Sequence, residues 1–412
     1  MWRNIASNAL SLSIVALIVL GGVIGWGKRE YVAEGPLETA ICLKVETGSN
    51  FTRVSEALDA QGAISSPSIF RMGADYSGKA TELKAGSFLV EEHASMEEIV
   101  DIVTRGGAST CGTEVVYRIG VNAAEYQVRE LDPATQSFNL VAEFDPDVEA
   151  PADYTRVRGQ PDTRYRVAIA EGATSWQIVD ALNKVEFLSG EITEVPPEGM
   201  LAPDSYEMRP GDDRADLIAR MRASQEERLA AAWEARDPDV PYESPEEALV
   251  MASIVEKETG VPEERGQVAS VFVNRLEQGM RLQTDPTVIY GITRGQGVLG
   301  RGLRQSELRA ETPYNTYVIS GLPPTPIANP GMASIEAALN PDTTDYLFFV
   351  ADGTGGHAFA STYAEHQQNV ARWRAIERQQ QGLPPVEVPL QDEPAPETGA
   401  EITILPRGVT PE

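Results

Sequence analysis

From Ile5 to Trp26 the chain carries no charged residue, and Leu10 to Trp26 is apolar apart from Ser11, Ser13 and small glycines. That is about the length a bilayer requires. Signal peptides have shorter apolar cores and a small-residue cleavage site, and no such site follows here. The run therefore reads as an uncleaved anchor, assigned to residues 1–28. Arg3 lies before it and Lys28 and Arg29 after it, so flanking charge does not set the orientation.

The 412 residues leave room for two or three domains and a sizeable core. A formal net charge of -28 excludes nucleic acid as a partner, since phosphates would be repelled. A broadly solvated acidic surface is the plain explanation of that charge. The three histidines, His93, His357 and His366, are scattered, no tetrahedral ligand set is visible, and no metal or other cofactor is expected.

The segment Met251-Ala-Ser-Ile-Val-Glu-Lys-Glu-Thr-Gly260 reads as an apolar helix that ends in an acid. Ser244 is placed to cap it, Pro245 to open it and Glu247 to complete a capping box. Gly260 and Pro262 stop it. Met251, Ile254 and Val255 lie seven, four and three residues before Glu258, which puts all four on one helix face. A carboxyl there loses hydration and its pKa rises toward neutrality, as a general acid requires. Glu256 points elsewhere. A helix-end acid is also a common ion-pair partner, and the residues downstream decide between the two readings.

Those residues are dense in polar groups held by turn signals. A second helix opens at Pro262, with Val268, Val271, Phe272 and Leu276 as its apolar positions, and closes at Gly279. Gln283, Thr284, Asp285, Asn315, Thr316 and Tyr317 then offer directional hydrogen bonds, and Tyr290 and Tyr314 offer aromatic surface. That mixture suits sugar hydroxyls and acetamido groups. Asp345 to Phe359 reads as a strand, a glycine turn and a short returning strand.

The blocks ASIVEKETG, VASVFVNRL, GMRLQTDPTVIYG, TPYNTY, GLPPTPIANPG and YLFFVADGTGGHAF, in that order, resemble the endolytic murein transglycosylases of the YceG-like family. The resemblance runs from Glu246 to Arg374, with a weaker likeness upstream to about Ala40. It implies a membrane-anchored enzyme, a lyase that cuts peptidoglycan glycan strands internally. It also implies an inner-membrane location with the catalytic domain in the periplasm, and cell-wall synthases (penicillin-binding proteins) as partners. The family's catalytic glutamate is the second acid of E-K-E-T, here Glu258. The block Glu198 to Glu207 matches a family segment that forms part of the cleft, with Pro203, Asp204 and Tyr206 as matched positions. His357, beside the glycine turn, is either a substrate contact or a structural hairpin-end residue.

The resemblance sets the expected organisation, an α+β chain. Residues 36–108 form a LysM-like α+β subdomain, with strands at Ile41–Val45 and Leu83–Val90 and capped helices at Asn50–Leu58 and Ser95–Val103. LysM folds bind N-acetylglucosamine chains, so this module is either a glycan grip or a spacer. Residues 109–165 depart from the family pattern as a β-rich insertion, with alternating runs at Thr113–Arg118 and Phe138–Phe144. Residues 166–378 form the transglycosylase domain, and residues 379–412 a disordered tail rich in proline and glutamate. Cys42 and Cys111, both after the apolar run, would pair as a disulfide in an oxidising envelope.

A hydrolase needs two carboxylates, whereas a lytic transglycosylase can use one. Glu258 would protonate the leaving glycosidic oxygen and then take the proton of the muramic C6 hydroxyl as it closes a 1,6-anhydro ring. A lysozyme-type hydrolase, with Asp285 as second acid, is the alternative enzyme. A glycan-binding scaffold for synthases is the alternative that is not an enzyme.

Overall fold

The structure is a computed structural model that describes residues 2–106, 109–160 and 162–380. The tail expected to be disordered thus lies, from residue 381 on, outside the described residues. The chain divides into two compact units. The first comprises Met1–Tyr117, Tyr126–Arg166 and Glu207–Arg209, and the second Arg118–Glu125, Val167–Tyr206 and the chain from Pro210 onward.

The first unit opens with helix α1 (Trp2–Val32). Its stretch Leu10–Val32 is long and apolar enough to cross a membrane. Leu12 and Ile18 are 76% and 69% exposed, so the side chains of this stretch are not sequestered by the folded chain. There follow β1 (Ile41–Val45), α2 (Phe51–Ala60), α3 (Pro67–Tyr76), β2 (Gly86–Val90) and α4 (Met96–Thr104). β1 and β2 pair antiparallel, from Ile41 opposite Val90 to Val45 opposite Gly86. Asn50 caps α2 by accepting from the Arg53 N–H at 3.0 Å, and Ser95 with Glu98 forms a complete capping box on α4. Leu43, Leu58, Phe70, Val90, Ile99 and Val103 form the core of this module.

α3 was not anticipated, although Ser66 caps it and Pro67 opens it. It buries Ile69, Phe70 and Ala74, and together with α4 it packs against α1. A Cβ at Gly73 would overlap the Tyr31 ring, so the two helices meet only because residue 73 is glycine. Cys42 and Cys111 are joined by a disulfide, with Cα atoms 5.7 Å apart.

Five strands, in the order β5-β4-β3-β6-β7, form one sheet: β3 (Thr113–Ile119), β4 (Ala124–Asp132), β5 (Ser137–Phe144), β6 (Arg164–Ile169) and β7 (Ser205–Met208). A short helix, α5 (Ala152–Val157), precedes β6. The two alternating runs seen in the sequence fall within β3 and β5, and β4 was missed. A bulge between Val128 and Arg129 breaks its alternation, so Tyr126, Gln127 and Val128 are buried in succession. Tyr126 packs on Tyr117, Phe144 and Tyr154, with ring centroids 4.6, 5.1 and 5.3 Å away.

The second unit is mainly helical. It contains α6 (Ser175–Asn183), α7 (Arg214–Glu234), α8 (Pro245–Glu258), a 3-10 turn (Pro262–Glu264), α9 (Arg265–Glu277), α10 (Asp285–Thr293), α11 (Gln305–Leu308) and α12 (Met332–Leu339). The hairpin β8 (Phe348–Ala351) and β9 (His357–Ala360) and the helix α13 (Tyr363–Gln380) complete it. α8 packs against α7, α9, α10 and α12. Every residue from Ala248 to Val255 is consequently buried. The helix is thus a core helix covered all round, not an amphipathic one with a single apolar face. Ser244 caps it as expected, but Glu247 accepts from the Glu243 N–H at 2.7 Å, and no capping box forms.

The Cys42–Cys111 bond closes a loop with a sequence separation of 69. By loop-closure entropy that is worth about 4 kcal/mol. Reduction, or the Cys42→Ser/Cys111→Ser pair, is therefore expected to lower the unfolding free energy of the first module by this amount, read as a lower urea midpoint, while the second unit's transition stays where it is. Coincident, unshifted transitions with and without reductant would contradict it.

Candidate active site

α8 ends in Glu256, Lys257 and Glu258, and successive helical residues point about 100° apart. Each finds a different partner. The Glu256 Oε2 accepts from the Gly331 N–H at 3.0 Å, and the Lys257 Nζ donates to the Gly172 carbonyl at 3.2 Å. The Glu258 Oε1 accepts from the Thr284 hydroxyl. Burial pulls the Lys257 pKa down, and the charges of Glu256 and Glu198 oppose that shift.

Thr284 is buried and held by its neighbours. Its N–H donates to the Thr316 Oγ1 at 3.0 Å, the Thr287 hydroxyl donates to its carbonyl at 2.8 Å, and the Thr287 and Thr316 hydroxyls lie 2.9 Å apart. Gln283, one residue earlier, has a left-handed backbone (φ 50) and donates its N–H to the Thr316 carbonyl at 3.1 Å. This strained corner turns Thr284 toward Glu258. Asp285 opens α10, and its Oδ1 accepts from the Tyr317 hydroxyl at 2.7 Å. Burial pushes the Tyr317 phenol far above its ordinary pKa, and the charges of Asp285 and Glu258 add to the shift.

The remaining residues of the loop split into two roles. Asn315 is fully buried, and its Nδ2 lies within bonding distance of the carbonyls of Glu307, Leu308 and Ala310, at 3.2, 3.0 and 2.7 Å. Its Oδ1 accepts from the Tyr317 N–H at 3.1 Å. Asn315 and Thr316 thus shape the loop. Tyr290 and Tyr314 form a ring pair with centroids 5.1 Å apart.

Asp204 and His357 are engaged elsewhere. Asp204 is exposed and paired with Arg228. The His357 Nδ1 lies 2.8 Å from the Glu264 Oε2, and its N–H donates to Glu264 Oε1 at 2.8 Å. The Thr259 hydroxyl, at 3.5 Å from Glu264, links that pair to the residue after Glu258. Among the described residues no group of three or more His, Cys, Asp or Glu side chains is placed to hold a metal ion.

Three residues of the site were given no role by the sequence. Glu198 accepts from the Ser175 N–H at 2.7 Å, the Tyr290 hydroxyl at 3.1 Å and the Asn329 Nδ2 at 3.2 Å. Burial raises its pKa, against the lowering effect of the Ser175 and Tyr290 bonds. Asn329, fully buried, also donates to the Ala173 carbonyl at 3.0 Å and accepts from the Leu201 N–H at 2.9 Å. Arg275 is buried in α9, where it donates to the carbonyls of Leu347 and Leu282 at 2.7 and 2.5 Å. Burial lowers its pKa to about 10, and Tyr317 and Glu258 oppose that. Asn329 had a signal, an asparagine wedged between turn-forming residues in Pro326–Gly331. Arg275 had none, because its helical spacing resembles that of a surface residue.

The chain belongs to the YceG-like family, whose model matches residues 43–372. It is similar to the endolytic murein transglycosylase of Bacillus subtilis (strain 168), at 28% identity over 353 residues, covering 85% of this chain and 90% of that protein. It is also similar to the endolytic murein transglycosylase of Streptococcus pneumoniae serotype 2 (strain D39), at 28% identity, covering 87% of this chain and 64% of that protein. A crystal structure of a YceG-like protein from Listeria monocytogenes aligns over 80% of this chain and 99% of its own, at 26% identity and a TM-score of 0.42, and no argument rests on it.

Because the Glu198 pKa is raised, the folded state holds that proton more tightly than the unfolded state does. Its contribution to stability is full below the ordinary glutamate pKa and is lost as pH rises through the raised value. Glu198→Gln keeps an oxygen for Ser175 and Asn329 and removes the titration. Urea midpoints measured from pH 4 to pH 7 are expected to shift in the variant's favour, relative to wild type, as pH rises. A difference independent of pH would refute the assignment.

Proposed function

We propose that this chain is a membrane-anchored lytic transglycosylase that cuts peptidoglycan glycan strands internally. The names of its relatives support the class, and the observation that carries the chemistry is the bond from Thr284 to Glu258 at the end of a buried helix. Glu258, protonated, gives its proton to the glycosidic oxygen leaving from muramic C1. The same carboxylate then takes the proton of that sugar's C6 hydroxyl as the oxygen bonds to C1. One glycosidic bond breaks, one intramolecular C–O bond forms, and no water enters. Asp285, already bonded to the Tyr317 hydroxyl, shapes the site in this reading. Tyr290, half-buried, offers aromatic surface to sugar rings, whereas Tyr314, paired with it, is buried in the core and makes no such surface.

Two features support an anchor over a cleaved signal. α1 continues as helix past Trp26, the last residue of the uncharged run, to Val32, and its last turn is built into the folded module. The Glu30 Oε1 accepts from the Ser65 hydroxyl at 2.6 Å, and the Tyr31 ring lies against Gly73. In this reading the second unit lies outside the membrane, where its substrate is, the LysM-like module grips glycan, and cell-wall synthases are the partners.

Digestion of purified glycan strands by the full-length protein, with fragments weighed by mass spectrometry, tests the chemistry. The expected products are internal fragments ending in 1,6-anhydromuramic acid, lighter by one water than hydrolysis products. Reducing ends would instead make the enzyme a hydrolase with Asp285 as second acid. Binding without fragments would make it a scaffold.

Glu258→Gln is expected to keep the fold and abolish cleavage, because an amide supplies no proton. Glu256→Gln retains an oxygen for the Gly331 N–H and is expected to keep most of its activity. The opposite pattern would move the acid to Glu256.

A further inference from the structure

We infer that Arg294 is a carboxylate-binding residue of the same site, one that selects strands carrying anionic groups. The inference rests on the transglycosylase reading above. α10 leads from Asp285, next to the Thr284 that bonds Glu258, to Thr293, a rise of ~13 Å. Arg294 follows as its C-cap, in the left-handed conformation (φ 54, ψ 32), with its N–H donating to the Tyr290 carbonyl at 2.7 Å. Glycine or asparagine is the usual residue there, because a longer L side chain adopts this backbone at a cost. An arginine retained at such a position points to a use for its side chain.

That side chain lies over the edge of the core beside Tyr290, the half-buried ring of the site. The guanidinium is 5.0 Å from the centroid of the Tyr314 ring, which is itself paired with Tyr290. Arg294 is exposed, and among the described residues it forms no ion pair. A guanidinium resting on a ring by one face keeps its planar edge of donors open to a carboxylate.

The charge of the surrounding chain points the same way. The protein has 62 acidic and 34 basic residues, yet in Glu277–Glu311 the arginines Arg281, Arg294, Arg301, Arg304 and Arg309 outnumber the acids Glu277, Asp285, Glu307 and Glu311. Glu307 is already paired with Arg301, at 2.6 Å, and Asp285 with the Tyr317 hydroxyl. So acidic a protein repels an anionic polymer at long range, and an exposed arginine without an ion-pair partner among the described residues offers it a local contact. Muramyl strands carry carboxylates either on the lactyl group or on attached stem peptides.

The test measures cleavage kinetics of the full-length protein in detergent with Arg294→Asn, Arg294→Lys and Arg294→Glu. Asparagine suits the left-handed backbone, so this variant removes charge without disturbing the turn. Substrates are stem-bearing strands, strands stripped to the lactyl carboxylate, and strands with all carboxylates esterified. Arg294→Asn is expected to raise KM about tenfold on carboxylate-bearing strands, with kcat little changed. Arg294→Lys should lose less and Arg294→Glu more, the differences should shrink at high salt, and none should remain on esterified strands. A loss confined to stem-bearing strands identifies the stem carboxylates, and a loss on both identifies the lactyl group. An equal KM rise on esterified strands, or no rise on any, overturns the inference. If wild type cleaves nothing, the transglycosylase reading fails by itself, and binding of the same strands to the Glu258→Gln protein still decides the role of Arg294.

Discussion

Glu256 and Lys257 fasten the end of α8 to Gly331 and to Gly172, and the position of Glu258 follows from them. A helix terminus leaves its last carbonyls unsatisfied and frays unless something holds it. Here the two residues before the acid hold loops that come from far away in the chain, one before α6 and one before α12. The acid is then the third spoke of a fastened hub. Its carboxyl meets a hydroxyl of the third loop, at Thr284, whose backbone is held by Thr287 and Thr316. The position of that carboxyl thus comes from the convergence of three loops on the end of one helix.

The acids around Glu258 make bonds of their own. Glu198 and Glu256 are bonded to structural N–H groups, and Asp285 to a phenol. Their carboxylates hold the scaffold. Arg275 provides a buried positive charge within reach of Tyr317 and Glu258, with its guanidinium fixed by two carbonyls. Removing it would leave those carbonyls unsatisfied in the core, so it supports the fold and the site together.

How much of this was legible depended on whether the signal was local. The bounds of α8 were readable because Ser244 and Pro245 act within one turn, and the helix does begin and end there. The one-face reading of the same helix failed because periodicity cannot count how many neighbours a helix has, and α8 is covered on all sides. Glu258 and Thr284 stood out as residue types, but their bond joins positions far apart in sequence and has no local signature. α3 had a local signature in Ser66 and Pro67 that was overlooked, whereas the bulge in β4 removed the alternation by which a strand is recognised. Asn315 looked like a sugar contact by type, and its burial against three carbonyls makes it part of the loop frame.

The same hub explains why glycines stand where its loops meet. Gly172, which accepts from Lys257, has φ 78, a backbone that costs other residues about 1 kcal/mol or more. At Gly331 the constraint is space, because a Cβ would collide with the Glu171 carboxyl. Glu171 is packed closely enough that burial, and then the charge of Glu256, raises its pKa, while Arg265 at 3.8 Å counters the shift. Two acids brought toward each other at this point are tolerated because Glu256 is stabilised by the Gly331 N–H. That donor stands at the N-terminal end of α12, where the helix dipole favours negative charge. At residue 331 the missing side chain leaves the room that the Glu171 carboxyl occupies, and the Glu256 bond to its N–H holds the end of α8 beside it.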